Sequence, residues 1–118
     1  MNIDINAVTE TIKQQIEGHP VLLYMKGTPD LPQCGFSARV VHILKSMHTN
    51  FAYVNILENP DIRAVLPKYA NWPTFPQLYI EAELIGGCDI VCDMQAAGEL
   101  KPLLESAKAL GDGQVTVA

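Results

Sequence analysis

The residues best suited to chemistry lie in Lys26-Gly-Thr-Pro-Asp-Leu-Pro-Gln-Cys34-Gly-Phe-Ser37. They follow a short apolar run, Val21–Met25, and precede an amphipathic segment from Ala38 to Lys45. That order reads as a strand, a Pro/Gly-rich loop and a helix opening at or just after Cys34. A cysteine at a helix start faces backbone N–H groups that have no partner, and the positive end of the helix dipole. Both favour thiolate over thiol and lower the pKa from a free value of ~8.5. Lys26, at the end of the strand, adds a positive charge to the same spot. An inert buried cysteine, a common fate for the free residue, does not suit such a loop. A dithiol redox motif places a second thiol three residues on, to attack a mixed disulfide, and here that position is Ser37. The chain presents one activated thiolate with no adjacent resolving partner.

Two later stretches also carry chemistry. In Trp72-Pro-Thr-Phe-Pro76, a proline at the start of a core strand gives up a ladder hydrogen bond. Read alone, Phe75–Pro76 is an ordinary trans turn, because most X–Pro bonds are trans. In Gly86-Gly-Cys-Asp89, paired glycines allow a sharp turn and close approach of a ligand. The N–H groups of Cys88 and Asp89 then open a helix, a natural anion site, with a plain capping carboxylate as the lesser reading of Asp89. Arg63, on a helix, reads by itself as a solvated charge. Cys88 and Cys92 stand four apart and share a helical face. A metal pair there lacks the second Cys/His pair of a tetrahedral set, so Cys88 is expected to act through its backbone, with an occasional disulfide, and Cys92 to be core. His19, His42 and His48 have no motif spacing and read as turn or surface residues. Phe51, Tyr24 and Tyr53 read as core-strand aromatics.

Lys26, the loop Gly27–Gln33, Cys34-Gly-Phe-Ser37, Trp72–Pro76 and Gly86–Asp89, in this order across residues 20–90, resemble a monothiol glutaredoxin of the CGFS type. The resemblance implies a thioredoxin-like fold and a cis Phe75–Pro76 bond lying against Cys34. Phe75 would then pair its free N–H and C=O, strand-like, with the backbone of glutathione. The N–H groups of Cys88 and Asp89 would take the γ-glutamyl carboxylate, and the Asp89 carboxylate the α-amino group. Lys26 and Arg63 match the positions that hold the glycine carboxylate.

A 2Fe-2S cluster needs four thiolates, and Cys34 from two protomers with two glutathiones supplies four. That agrees with what the resemblance implies: a glutathione-ligated cluster, with Cys34 as metal ligand, bridging a homodimer. The implied role is carriage and transfer of the cluster to apo iron-sulfur proteins and iron homeostasis, with a BolA-like protein as a further partner. The competing reading is a glutathione-dependent thiol–disulfide oxidoreductase that deglutathionylates proteins. The long loop and Ser37 resemble the branch that is poor at that reaction. Asn55 departs from the aspartate that many relatives carry, a change expected to be harmless.

The chain must build elements that position these residues. Ile5, Val8, Ile12 and Ile16 recur at helical spacing over 4–18, ending at Gly18. Strands are expected at 21–25 and 51–56, with the helix from Cys34 to about Met47 between them as a parallel crossover unit. Asn59-Pro60 caps and starts a helix to about Tyr69. Residues 77–80 and 83–85 form a hairpin. A helix opens at Cys88 or Asp89, and a last one follows Gly98 to about Leu110. The sum is an α/β, thioredoxin-like architecture: a four-stranded mixed sheet with helices on both faces. At 118 residues it is one domain, 1–110, with a mobile tail over 111–118 expected.

Composition excludes other classes. The 48% hydrophobic and 18% charged content is ordinary for a globular protein. A net charge of −5 with no Lys/Arg run argues against nucleic acid. No apolar stretch nears the ~20 residues of a membrane span, and the N-terminus lacks a signal or transit pattern. Three cysteines without framework spacing suit a reducing, cytoplasmic setting.

Overall fold

Val21–Met25 is buried at every position and forms the central strand β1 of a computed structural model, which describes residues 2–118. Strand side chains alternate between faces. Val21, Leu23 and Met25 join one core cluster, Leu22 and Tyr24 another on the opposite face. A strand enclosed on both sides needs a helical layer over each face, and the chain supplies both.

One layer comes from α1 (Ile5–Gly18) and α3 (Pro60–Tyr69), whose Val8, Ile12, Ile16, Ile62 and Leu66 meet Leu22 and Tyr24. Asp4 caps α1 by accepting the Ala7 N–H at 3.2 Å. Ile5 does not share the buried face: it is 62% exposed, because the chain enters the helix outside the layer. The other layer comes from α2 (Gly35–Ser46), α4 (Cys88–Ala96) and α5 (Leu100–Ser106), through Val40, Leu44, Val91, Leu100 and Leu104. The last helix stops short of Leu110, where the Asn50 N–H reaches the Ala109 carbonyl at 2.6 Å.

Strand β2 (Phe51–Asn55) pairs parallel with β1, and β3 (Gln77–Ile80) antiparallel on its other side. Strand β4 (Glu83–Gly86) completes a hairpin with β3. Glu81 and Ala82 both take positive φ there, 52° and 66°, as a two-residue hairpin turn demands. The expectation of four strands is corrected. A fifth, β5 (Val115–Val117), lies parallel to β2, giving the order β4-β3-β1-β2-β5. It comes from the segment expected as a tail. The free edge of β2 offers unpaired backbone groups, and the Phe51 N–H donates to the Gln114 carbonyl at 2.9 Å. The expected cap at Asn59 also differs. Its side chain makes no cap bond and donates to the Asn55 carbonyl at 2.8 Å, tying α3 to the end of β2. No helix among the described residues is long and apolar enough to cross a membrane.

The double-faced burial of β1 sets a test. Leu23→Ala, at a fully buried position, should destabilise the fold by about 2–5 kcal/mol through lost transfer energy and a residual cavity. Val117→Ala, at a 71% exposed position on the edge, should change stability by less than about 0.5 kcal/mol. Urea unfolding midpoints at constant slope would measure both.

Candidate functional site

Strand directions bring the chemistry to one end of the sheet. β1 and β2 run toward that end, β3 starts there, and β4 returns to it. The sheet order then sets Gly86–Asp89, Phe75–Pro76, Lys26 and the β2-to-α3 connection side by side. Extending the Tyr24–Gln77 register by two residues puts Lys26 level with Phe75.

The loop after Lys26 is closed on itself. The Gln33 N–H donates to the Lys26 carbonyl at 2.9 Å, and Leu31 to Thr28 at 3.0 Å. Gly27 has φ +92°, and a Cβ there would meet the Leu31 carbonyl at 2.6 Å, so no other residue fits. Asn55 accepts the Gly27 N–H at 2.9 Å and the Leu57 N–H at 3.0 Å, both of which an aspartate would also accept. Lys45, late in α2, reaches Pro29 and Asp30 and ties down the loop tip.

Cys34 is the N-cap residue of α2, extended at φ −152°, and half-buried. Its sulfur closes no cap hydrogen bond. The Ser37 N–H nevertheless faces it and, more than any other group, holds its pKa below the ordinary thiol value. Partial burial opposes this, while the Phe36 N–H, the Lys26 charge and the Ser37 hydroxyl reinforce it. Ser37 has a role that sequence reasoning missed. Fully buried, it accepts the Lys26 N–H at 3.1 Å, locking the end of β1 to the first turn of α2. The signal was a hydroxyl one helical turn beyond the cysteine, read only for the thiol it lacks.

The facing wall is Trp72–Pro76, with Phe75–Pro76 in cis. Buried Gln77 holds it: its amide donates to the carbonyls of Trp72 at 3.0 Å and Thr74 at 3.2 Å, and its oxygen accepts from Tyr79 at 3.0 Å. Sequence reasoning passed over Gln77, although a lone amide in an apolar strand calls for partners. The third wall is the start of α4, capped by Gly87 and carrying Asp89 in its first turn. Gly86, at φ +145°, leaves room for Ile90, which a Cβ would meet at 2.7 Å.

These walls enclose a groove of about 690 Å³ whose lining includes Lys26, Cys34, Arg63, Phe75, Cys88 and Asp89, the six residues singled out from the sequence. Trp72, not assigned a role of its own, also lines it, and its buried Nε1 has no hydrogen-bond partner among the described residues. Cys92 stays outside the groove lining and, rather than being core, is half-buried at the core's edge. Cys88 is the electrostatic opposite of Cys34. Burial first, then its contact with Cys92, pushes its thiol up to about 11, with the Arg39 charge opposing. Of these two thiols, Cys34 is the one shifted toward ionisation, with two cations and a helix start in the same groove.

A mixed sheet between two helical layers, with a cysteine of lowered pKa at a helix start in one groove with a cis-proline, defines a thioredoxin-like fold. The glutaredoxin family model matches residues 21–85, and the chain belongs to that family. It is 57% identical over 105 residues to glutaredoxin 4 of Escherichia coli K12, covering 89% of this chain and 91% of that one. The reduced apo form of poplar GrxS14 is 50% identical with a TM-score of 0.74, covering 86% and 93% of the two chains. A buckwheat glutaredoxin solved as a glutathione complex shares the fold, with a TM-score of 0.81 at 22% identity over 91% and 96%.

The charge around Cys34 predicts its pH profile. A lowered pKa keeps thiolate present as pH falls, so alkylation of Cys34 should reach half its maximal rate at lower pH than in the unfolded chain. Lys26→Gln should raise that midpoint while leaving it below the unfolded value, because the backbone donors remain. Iodoacetamide rates followed by mass spectrometry from pH 5 to 10 would measure both. A Cys34 midpoint equal to that of the unfolded chain would contradict the electrostatic account.

Proposed function

We propose that this chain is a monothiol glutaredoxin that binds glutathione in the groove and carries a 2Fe-2S cluster as cargo between two protomers. The observation that carries the reading is Cys34, the thiol of lowered pKa, in a groove lined by Lys26, Arg63 and the N–H-rich start of α4. Glutathione suits those walls. Its glycine carboxylate goes to Lys26 and Arg63, its backbone pairs with Phe75, and its γ-glutamyl carboxylate meets the N–H groups of Cys88 and Asp89. The Asp89 carboxylate takes the α-amino group, and the glutathione sulfur comes beside Cys34.

Ligand arithmetic favours sharing. Among the described residues no group of three metal-binding side chains exists, so one chain cannot enclose a cluster that needs four thiolates. Cys34 from each of two protomers and one glutathione on each complete the set. Leu31 and Phe36, 67% and 62% exposed, flank Cys34. They supply apolar contact for a second protomer or a BolA-like partner, too little for a permanent interface. A shared, exposed cluster would suit delivery to apo iron-sulfur proteins, and the cysteine usage read from the sequence favours a cytoplasmic setting for it. The same thiolate and groove also serve protein deglutathionylation, the second reading, which Ser37 in place of a resolving thiol disfavours.

Coordination and assembly should move together. Cys34→Ser should abolish cluster loading on anaerobic reconstitution, whereas Cys92→Ser retains it. The apo chain should sediment as a monomer and the loaded chain as a dimer whose fraction rises with glutathione. Asp89→Ala should weaken that response. A loaded monomer, or a loaded dimer indifferent to glutathione, would sink the carrier reading.

Ser37→Cys separates the two activities. It supplies a resolving thiol whose sulfur remains a weak acceptor for the Lys26 N–H, and should increase turnover in a coupled glutathione–disulfide assay. Turnover by the native chain equal to that of an efficient dithiol glutaredoxin would instead establish the oxidoreductase reading.

A further inference from the structure

Cys88 and Cys92 lie one turn apart on α4 with their sulfurs 3.8 Å apart. Both are free thiols, the first 7% exposed and the second half-buried. Neither sulfur has a part in the function proposed above, which uses Cys88 only through its backbone. Two fates compete for such a pair. A disulfide wants Cβ atoms ~3.5–4.5 Å apart, but residues four apart on a helix hold theirs at ~5–6 Å. Closing an S–S bond would therefore distort the first turn of α4. A soft metal ion makes no such demand. Two metal–thiolate bonds of ~2.3 Å, meeting at a tetrahedral or trigonal angle, set the sulfurs ~3.8–4.0 Å apart. That separation is already present.

Burial, the contact with Cys92 and the Asp89 charge all hold Cys88 as a thiol, so a bound ion must displace its proton. Arg39, on the neighbouring helix α2, is the one charge that favours thiolate there. Among the described residues no third His, Cys, Asp or Glu joins the pair. The protein donor set is therefore incomplete, with one or two positions on the ion left for water or a small thiol entering from the side of half-buried Cys92. Sulfur-only donors of this kind select soft ions over hard ones.

We propose that Cys88 and Cys92 form an open two-thiolate site for a soft d10 cation, Cu(I) or Zn2+, distinct from Cys34. Binding forms two metal–sulfur bonds, breaks two S–H bonds and releases both protons to solvent. The ion keeps its oxidation state, so no oxidant or reductant is consumed. An incomplete donor set makes the ion exchangeable.

The test uses the full-length Cys34→Ser chain, reduced and free of glutathione, so that this pair holds its only thiols. One sample is titrated with Zn2+ against a chromogenic chelator. A second is titrated anaerobically with Cu(I) against a Cu(I) chelator, and the two arms identify the ion. The expected result is one equivalent of one ion per chain, a new thiolate-to-metal ultraviolet band, and joint protection of Cys88 and Cys92 from alkylation. Adding Cys92→Ser, at a half-buried position where circular dichroism can verify the fold, should remove all three signals. Failure of both ions to bind would overturn the proposal. So would binding that survives Cys92→Ser, or protection of one cysteine without the other. Because Cys34 is absent throughout, the outcome does not depend on the glutathione or cluster reading.

Discussion

The hydrogen bond from the Lys26 N–H to the buried Ser37 hydroxyl is the contact on which the site depends. It joins the last turn of chain leaving β1 to the first turn of α2. Everything between them, the loop and Cys34, is thereby clamped at both ends. Without it the Lys26 N–H would lack this partner, at a cost of about 1–3 kcal/mol if left unsatisfied. The helix start would also be free to turn its N–H groups away from the sulfur. One hydroxyl thus supports both the loop geometry and the thiolate.

The opposite wall obeys the same logic with different atoms. Gln77 is fully buried in an apolar strand, yet its amide and carbonyl engage Trp72, Thr74 and Tyr79. A buried polar group with several partners specifies one arrangement more strictly than apolar packing does. The loop carrying Phe75 and Pro76 is held from beneath by that network, which leaves its outer backbone facing the groove. Asn55 does a comparable job behind the loop that follows Lys26 by accepting from both Gly27 and Leu57.

Two cysteines bordering one groove illustrate how environment decides chemistry. Cys34, at a helix start beside Lys26, is shifted toward thiolate. Cys88, the first residue of another helix, has its sulfur turned into the core and its thiol stabilised by burial. A helix start alone does not ionise a cysteine. The direction of the side chain, toward the N–H groups or into apolar packing, decides between desolvation and stabilisation.

Much of this was legible in the chain. The five-residue apolar run named the central strand, because only a strand buried on both faces dispenses with alternation. Lys26, Cys34, Trp72–Pro76 and Gly86–Asp89 stood out because each short segment carries its own turn or helix-start chemistry, and their resemblance to glutaredoxins supplied the family and the groove roles of Phe75 and Arg63. What the tertiary structure alone decided were relations between distant residues. Ser37 and Gln77 became structural pins only when Lys26 and Trp72 came within hydrogen-bond reach. The strand Val115–Val117 has no strong pattern of its own and exists because the edge of β2 offers it partners. Ile5 keeps the helical spacing but faces solvent, since periodicity gives a face and not where the neighbouring layer ends. The separation of the Cys88 and Cys92 sulfurs depends on side-chain direction, which spacing narrows to a helical face and packing then fixes.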